Sequence, residues 1–214
     1  MEIHIVSLFP ESVRGYLDSS IMKQAQEKGL FRYYLHNLTD WSVKNTRRVD
    51  DRPYGGGAGT VITVEPMTNC FRELFEKYGE MPIFFMSPKG KILQQKDFEN
   101  FSKIQKMIIL CGHYEGVDER IFELFPITEI SIGKYVLSSG ELASMVFIDG
   151  VVRLVDGVLS KESLEEESFS ANLGGKKEYP QYSRPQIFEG ISVPEVLLSG
   201  DHSAIQDWKK KSTS

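Results

Sequence analysis

The feature that most constrains the fold of this chain is a series of short runs dense in apolar residues. EIHIVSLF (2–9), FRYYLH (31–36), VITV (61–64), PIFFM (82–86), KMIILC (106–111) and ITEISI (127–132) have the length and bounding turn residues of β-strands. Between them the apolar spacing becomes helical, over SSIMKQAQEKG (19–29, opened by Ser and stopped by Gly), EPMTNCFRELFEKYG (65–79), KDFENFSKI (96–104) and SGELASMVFIDGVVRLV (139–155). Strands almost continuous in apolar residues are those buried on both faces, as in a largely parallel sheet covered by helices. The spacing therefore predicts an α/β fold whose core ends near Leu159.

A hydrophobic content of 41% over 214 residues suffices for one large domain, or one with a small appendage. No run approaches the roughly 20 apolar residues that cross a bilayer. The amino terminus reads as a strand with an acid at position 2 rather than as a secretory leader, so a cytoplasmic location and no membrane partner are expected. Cys70 and Cys111 stand in apolar surroundings and are expected as reduced core thiols, since two cysteines so placed suit neither a disulfide framework nor a zinc cluster. A formal net charge of -5 does not suggest a chain coated for nucleic acid. Basic residues do gather at Lys44/Arg47/Arg48/Arg52, Lys176/Lys177 and Lys209/Lys210/Lys211, each group by itself reading as solvated surface.

From Ser160 to about Pro180 the pattern dissolves into mixed charge and paired glycines, the composition of a linker. Within it LEEESFS (164–170) is acidic filler by composition alone. A Pro-bounded apolar patch and a helix opened by Asp201 and carrying Trp208 follow.

Several stretches bear on chemistry. The glycine run in DRPYGGGAGTVI (51–62) lacks the entering strand and following lysine of a phosphate loop, so it reads as a flexible loop able to approach a ligand, or as a plain connection. Three Gly- or Pro-bearing turns, FFMSPKG (84–90), ILCGHYEGVDER (109–120) and ISIGKYVLSSGE (130–141), fall at the carboxyl ends of predicted strands, where open α/β sheets bind ligands. Their bare backbone groups suit a purine or ribose, and Glu115 is placed to accept from ribose hydroxyls. Carboxylates and histidines are not clustered at metal-ligand spacing, and His4 and His36 are expected as buried strand residues. With no G-x-S-x-G elbow, covalent catalysis is disfavoured.

IVSLFP (5–10), VDDRPYGGGAG (49–59), SPKG (87–90), CGHYEGVDERI (111–121), SIGKYVLSSGEL (131–142), GVL (157–159) and YSRPQIFEGISVPEVLLSGDHSAIQDW (182–208), in this order, closely resemble the bacterial tRNA (guanine-N1)-methyltransferases of the SPOUT class. The likeness spans nearly the whole chain. It implies a parallel sheet with a deep trefoil knot in a catalytic domain (1–160), a flexible linker (161–180) and a small helical tRNA-binding domain (181–214). It also implies a homodimer that takes S-adenosylmethionine and methylates N1 of the guanine immediately 3′ of the anticodon, position 37 of tRNA. By this resemblance the cofactor meets Pro88 in one turn, Gly112, Tyr114, Glu115 and Gly116 in the next, and Ile132, Gly133, Lys134, Tyr135, Val136, Leu137 and Gly140 in the third. Arg47, Asp50 and Gly59 fall on tRNA-binding positions, Arg153 on that of an arginine near guanine O6, and Glu167 on that of the general base. No metal ligand is implied, and Mg²⁺ assistance is left open.

The sequence departs from the family pattern in places. Glu167 stands where the family has aspartate, Lys134 where an acid is usual, Ser139 for a glycine and Thr46 for a histidine, and the chain ends soon after Trp208. These departures keep two alternatives in view: a cofactor-binding, RNA-docking protein with weak or lost catalysis, and a methyltransferase for another RNA guanine.

Overall fold

The computed structural model describes residues 1–213. In chain order the strands are β1 (Glu2–Ser7), β2 (Arg32–Asn37), β3 (Asp50–Asp51), β4 (Val61–Ile62), β5 (Ile83–Ile92), β6 (Lys106–Cys111), β7 (Ile127–Ser131), β8 (Ile187–Phe188) and β9 (Ile191–Ser192). The α-helices are α1 (Arg14–Leu17), α2 (Ser20–Glu27), α3 (Val64–Tyr78), α4 (Gln95–Phe101), α5 (Arg120–Leu124), α6 (Gly140–Val152), α7 (Lys161–Glu165), α8 (Glu195–Leu198) and α9 (His202–Ser212). The chain divides into two compact units, Met1–Val158 and the segment from Leu159 onward. Residues 161–180 thus fall with the second unit.

The first unit is built on a five-stranded sheet of order β2-β1-β6-β5-β7, parallel throughout. Central β6 is buried from Met107 to Cys111, as its unbroken apolar run requires when helices cover both faces. On one face Val6, Ile108, Leu110 and Phe85 pack with Met67, Phe71 and Leu74 of α3. On the other, Phe84 meets Phe147 of α6 and Phe101 of α4, with ring centroids 5.6 and 4.9 Å apart.

Two strand expectations are corrected. VITV does not join the parallel sheet: Val61 and Ile62 pair antiparallel with Asp51 and Asp50, and Val64 already opens α3. A four-residue apolar run cannot by itself separate a strand from a helix start. Pro66 sits in the first turn, where a missing N–H costs nothing. PIFFM, in turn, is only the first half of β5, which resumes pairing with β7 at Lys91 and Ile92 after a register break beyond Met86. Ser87–Lys89 is therefore a bulge inside a strand rather than a turn after one. Gly90 is required beside it, because a Cβ there would lie 2.5 Å from the backbone of Glu129 and Ile130.

Ser19 caps α2 in extended conformation, but its hydroxyl donates to the Tyr16 carbonyl (2.7 Å) instead of accepting from the helix. His4 is fully buried and stacks between Tyr34 and Tyr78, with Nδ1 3.0 Å from Nε2 of His36. Its own Nε2 has no partner. Burial pushes both imidazoles down to a pKa of about 4. Cys70 and Cys111 are free buried thiols, and burial raises Cys111 to about 12.

In the second unit the expected linker contains α7, N-capped by Ser160, whose Oγ accepts from the Ser163 N–H (3.2 Å). The loop after it closes on itself through Phe169 N–H to Lys176 O (2.7 Å) and Glu178 N–H to Ser168 Oγ (3.0 Å). These bonds are local and polar, so hydrophobic periodicity carries no trace of them. Asp201 caps α9 as its position predicts, accepting from the N–H groups of Ser203 and Ala204 at 3.0 and 3.1 Å.

Candidate functional site

The carboxyl ends of β5, β6 and β7 enclose a cavity of about 250 Å³. The β5 bulge gives Ser87 and Pro88; the turn after β6 gives Gly112, Tyr114, Glu115 and Gly116; the turn after β7 gives Ile132, Gly133, Tyr135, Val136, Leu137 and Gly140. The two strands that flank β5, β6 and β7, end beside the bulge in its middle, and the two turns and the bulge converge. Gly112, Gly116, Gly133 and Gly140 bring bare backbone to the wall, and the close approaches at two of them explain why. A Cβ on Gly140 would lie 2.6 Å from Gly112 N and 2.9 Å from Cys111 Cα. Here the start of α6 crosses the end of β6, and Gly140 N–H donates to Gly112 O (2.8 Å). A Cβ on Gly133 would lie 2.2 Å from the Tyr135 ring. Ser131 Oγ ties the third turn, accepting from Gly133 N–H (3.2 Å) and donating to Gly133 O (3.0 Å).

The glycine run is no phosphate cradle. It lies along the second turn as a strap, with Glu115 N–H donating to Thr60 O (3.0 Å), Ile62 N–H to Gly116 O (3.0 Å) and Asp118 N–H to Ile62 O (2.9 Å). Gly59, at φ +81°, leaves room for the Glu115 side chain, whose Cγ would sit 2.7 Å from any Cβ there. Two stretches far apart in sequence thus form one wall. The other expected tRNA contacts have partners of their own. Arg47, in the left-handed region at φ 59°, donates to Asp40 and to Thr39 Oγ1. Asp50, mostly buried, accepts two bonds from the Arg48 guanidinium (2.9 and 3.2 Å), which holds its carboxyl below the usual carboxylate range.

Arg153 caps the carboxyl end of α6, where a cation is favoured by the helix dipole. Glu167 belongs to the second unit, half-buried in the loop after α7. Its neighbour Glu166 is engaged: it accepts from Tyr179 Oη (2.5 Å) and from Lys209 Nζ (3.1 Å). Both bonds lower its pKa, Tyr179 contributing most. Lys209 also stands 4.5 Å over the Tyr179 ring.

The comparison with known proteins bears directly on this geometry. The model of the family described as tRNA (Guanine-1)-methyltransferase TrmD matches residues 1–214. The chain belongs to this family. It is 46% identical over 214 residues to the tRNA (guanine-N(1)-)-methyltransferase of Clostridioides difficile (strain 630), covering 99% of this chain and 91% of that protein. To the enzyme of the same name from Carboxydothermus hydrogenoformans it is 49% identical over 212 residues, covering 99% of this chain and 82% of that one. The crystal structure of tRNA (m1G37) methyltransferase from Aquifex aeolicus, 36% identical, matches with a TM-score of 0.82 over 99% of this chain and 88% of that one.

Of the residues that the family resemblance assigns to the cofactor, all but Lys134 line the cavity. Among lining residues that sequence reasoning passed over, Ser87, Ser131, Ser138 and Ala143 carry no signal beyond their position at the ends of strands and the start of a helix. The same holds for Glu141, a carboxylate only 4% exposed that reads in sequence as an ordinary first-turn acid. Among the described residues no group of three or more His, Cys, Asp or Glu is gathered to hold a metal ion, and no helix is long and apolar enough to cross a membrane.

Proposed function

We propose that this member of the tRNA (guanine-1)-methyltransferase family transfers a methyl group from S-adenosylmethionine to N1 of guanine 37 in tRNA, in the cytoplasm, with Glu167 as general base and Arg153 supporting O6. The observation that carries this reading is the glycine-lined cavity at the ends of β5, β6 and β7, whose walls meet where Gly140 crosses Gly112. Its residues fit a nucleoside cofactor. Backbone groups face it from the bulge and the two turns, Leu137 and Ile132 offer apolar cover, and Glu115 offers a carboxylate for ribose hydroxyls.

When bound, the cofactor supplies a methyl group on sulfonium, activated enough to need no acid at the leaving thioether. The demand falls on the acceptor. N1 of neutral guanine bears a proton, so a base must take it as the new N–C bond forms, and charge grows on O6. Glu167 takes the proton on its carboxylate, and the Arg153 guanidinium offsets the charge on O6.

The backbone crossing of Gly112 by Gly140 supports a trefoil knot in the first unit. The second unit, with the basic end of α9 at Lys209, Lys210 and Lys211, is suited to hold tRNA. A homodimer is supported by Leu142 and Val146, four residues apart on α6 and 53% and 45% exposed, together with exposed Phe9. Incubation with labelled S-adenosylmethionine and a tRNA bearing guanine at position 37 should give N1-methylguanine at that nucleotide. No product with several such tRNAs, or label at another nucleotide, would refute the reading.

A further inference from the structure

Glu141 presents a problem that the proposed reaction does not use. It sits in the first turn of α6 and is 4% exposed. The dipole of a thirteen-residue helix favours a carboxylate there, but a buried carboxylate still needs hydrogen bonds on both oxygens. One oxygen is provided for: Ser7 Oγ at the end of β1 donates to Oε1 and itself accepts from Phe9 N–H (2.8 Å). The other, Oε2, is buried and has no hydrogen-bond partner among the described residues. A candidate donor, Nε2 of His113, stands 3.8 Å away, beyond hydrogen-bond range.

His113 is no bystander. It lies between Gly112 and Tyr114 in the second turn of the cavity and lines it. Its ring is tilted against Phe9 (centroids 5.1 Å) and edge-on to Tyr114 (5.4 Å). A movement of under about 1 Å in that turn would bring Nε2–H within bonding distance of the orphaned oxygen. The geometry points to Glu141 as a positioning residue for the cofactor turn. Seating of S-adenosylmethionine against residues 112–116 draws His113 onto Oε2, and the completed Ser7–Glu141–His113 chain locks the turn in its bound form. A neutral imidazole with its proton on Nε2 suffices as donor. The inference rests on the reading of the cavity as the cofactor site.

The test is calorimetric titration of the purified protein with S-adenosylmethionine, alongside nitrogen-15 spectra of the His113 ring with and without it. Glu141→Met keeps the volume and removes the acceptor. It is expected to weaken binding about tenfold, the value of one hydrogen bond to a charged group. His113→Ala should lose a similar factor, and His113→Gln, which keeps a donor near the Nε2 position, should recover most of it. In the wild type the cofactor should shift the His113 ring toward the form protonated on Nε2; in Glu141→Met it should not. Equal affinity in wild type, Glu141→Met and His113→Ala would overturn the inference, as would a His113 ring that does not respond. So would a Glu141→Met protein that loses thermal stability while its folded fraction binds normally, since that is the mark of a purely structural carboxylate. Should Glu141→Met not fold, the His113 pair decides alone. A wild type that takes up no cofactor would instead overturn the reading of the cavity.

Discussion

The cavity wall in the first unit and the loop carrying Glu167 in the second are built on opposite principles. In and beside the wall, backbone lies against backbone where Gly140 meets Gly112 and where Gly90 meets Glu129. No room exists for adjustment, and the strands beneath are buried on both faces. The loop after α7 is held by side chains near its rim. Glu166 is clamped by Tyr179 and Lys209, and Tyr179 and Tyr182 stand 6.4 and 6.2 Å from the Trp208 ring. Only Ser170 and Tyr179 in 160–180 are buried. On the proposed reading, the cofactor would be met by a surface fixed at folding, whereas Glu167, the proposed base, is carried on a segment whose geometry depends on polar contacts. Substitutions in the first should act all or none; those in the second should be graded.

The sharpest way to break the contrast is Gly140→Val. Forcing side-chain atoms to within about 3 Å of the Gly112 backbone should destabilise the fold by about 1–3 kcal/mol and abolish both cofactor binding and methyl transfer. Calorimetry and denaturant unfolding check this, and retained binding would mean that the crossing yields.

Acid probes the first unit from its other end. His4 and His36 are held neutral at a pKa of about 4 in the fold against about 6.5 in an unfolded chain. The unfolded state therefore takes up protons first, so the stability these residues give is complete above pH 6.5 and is lost as pH falls toward 4. Urea midpoints measured across that range should decline, and a flat profile would show that the pair is not buried neutral.

In the second unit Tyr179→Phe removes one bond to Glu166 and should slow methyl transfer roughly threefold, in keeping with one part-buried hydrogen bond, while cofactor affinity stays as it was. Smallest of all, Glu165→Gln, at an exposed carboxylate, should leave turnover within about twofold. A large loss there would shift the role of base along the chain.

The same contrast governs what could be read from sequence. The central strands were legible because burial on both faces writes dense apolar runs into β1, β6 and the first half of β5. VITV was misread because four apolar residues serve a strand and a helix start equally. The convergence of the turns after β6 and β7 followed from their place at strand ends, the third stretch proved to be a bulge inside β5, and the family motifs named the residues. What was not legible is contact between distant segments. The crossing of Gly112 by Gly140, the strap of Gly59 on Glu115 and the burial of Glu141 leave no local period, since each is settled by a neighbour elsewhere in the chain. The clamp on Glu166 was hidden for the same reason, three separate residues meeting at one carboxylate.

The central claim is that Glu167 removes the N1 proton. Single-turnover methyl transfer to a guanine-37 tRNA, at saturating S-adenosylmethionine, tests it through Glu167→Gln and Glu167→Asp, with cofactor affinity measured on the same proteins. The account predicts a loss of about a thousandfold for Glu167→Gln, substantial activity for Glu167→Asp, and unchanged cofactor affinity in both. Near-normal transfer by Glu167→Gln would contradict it.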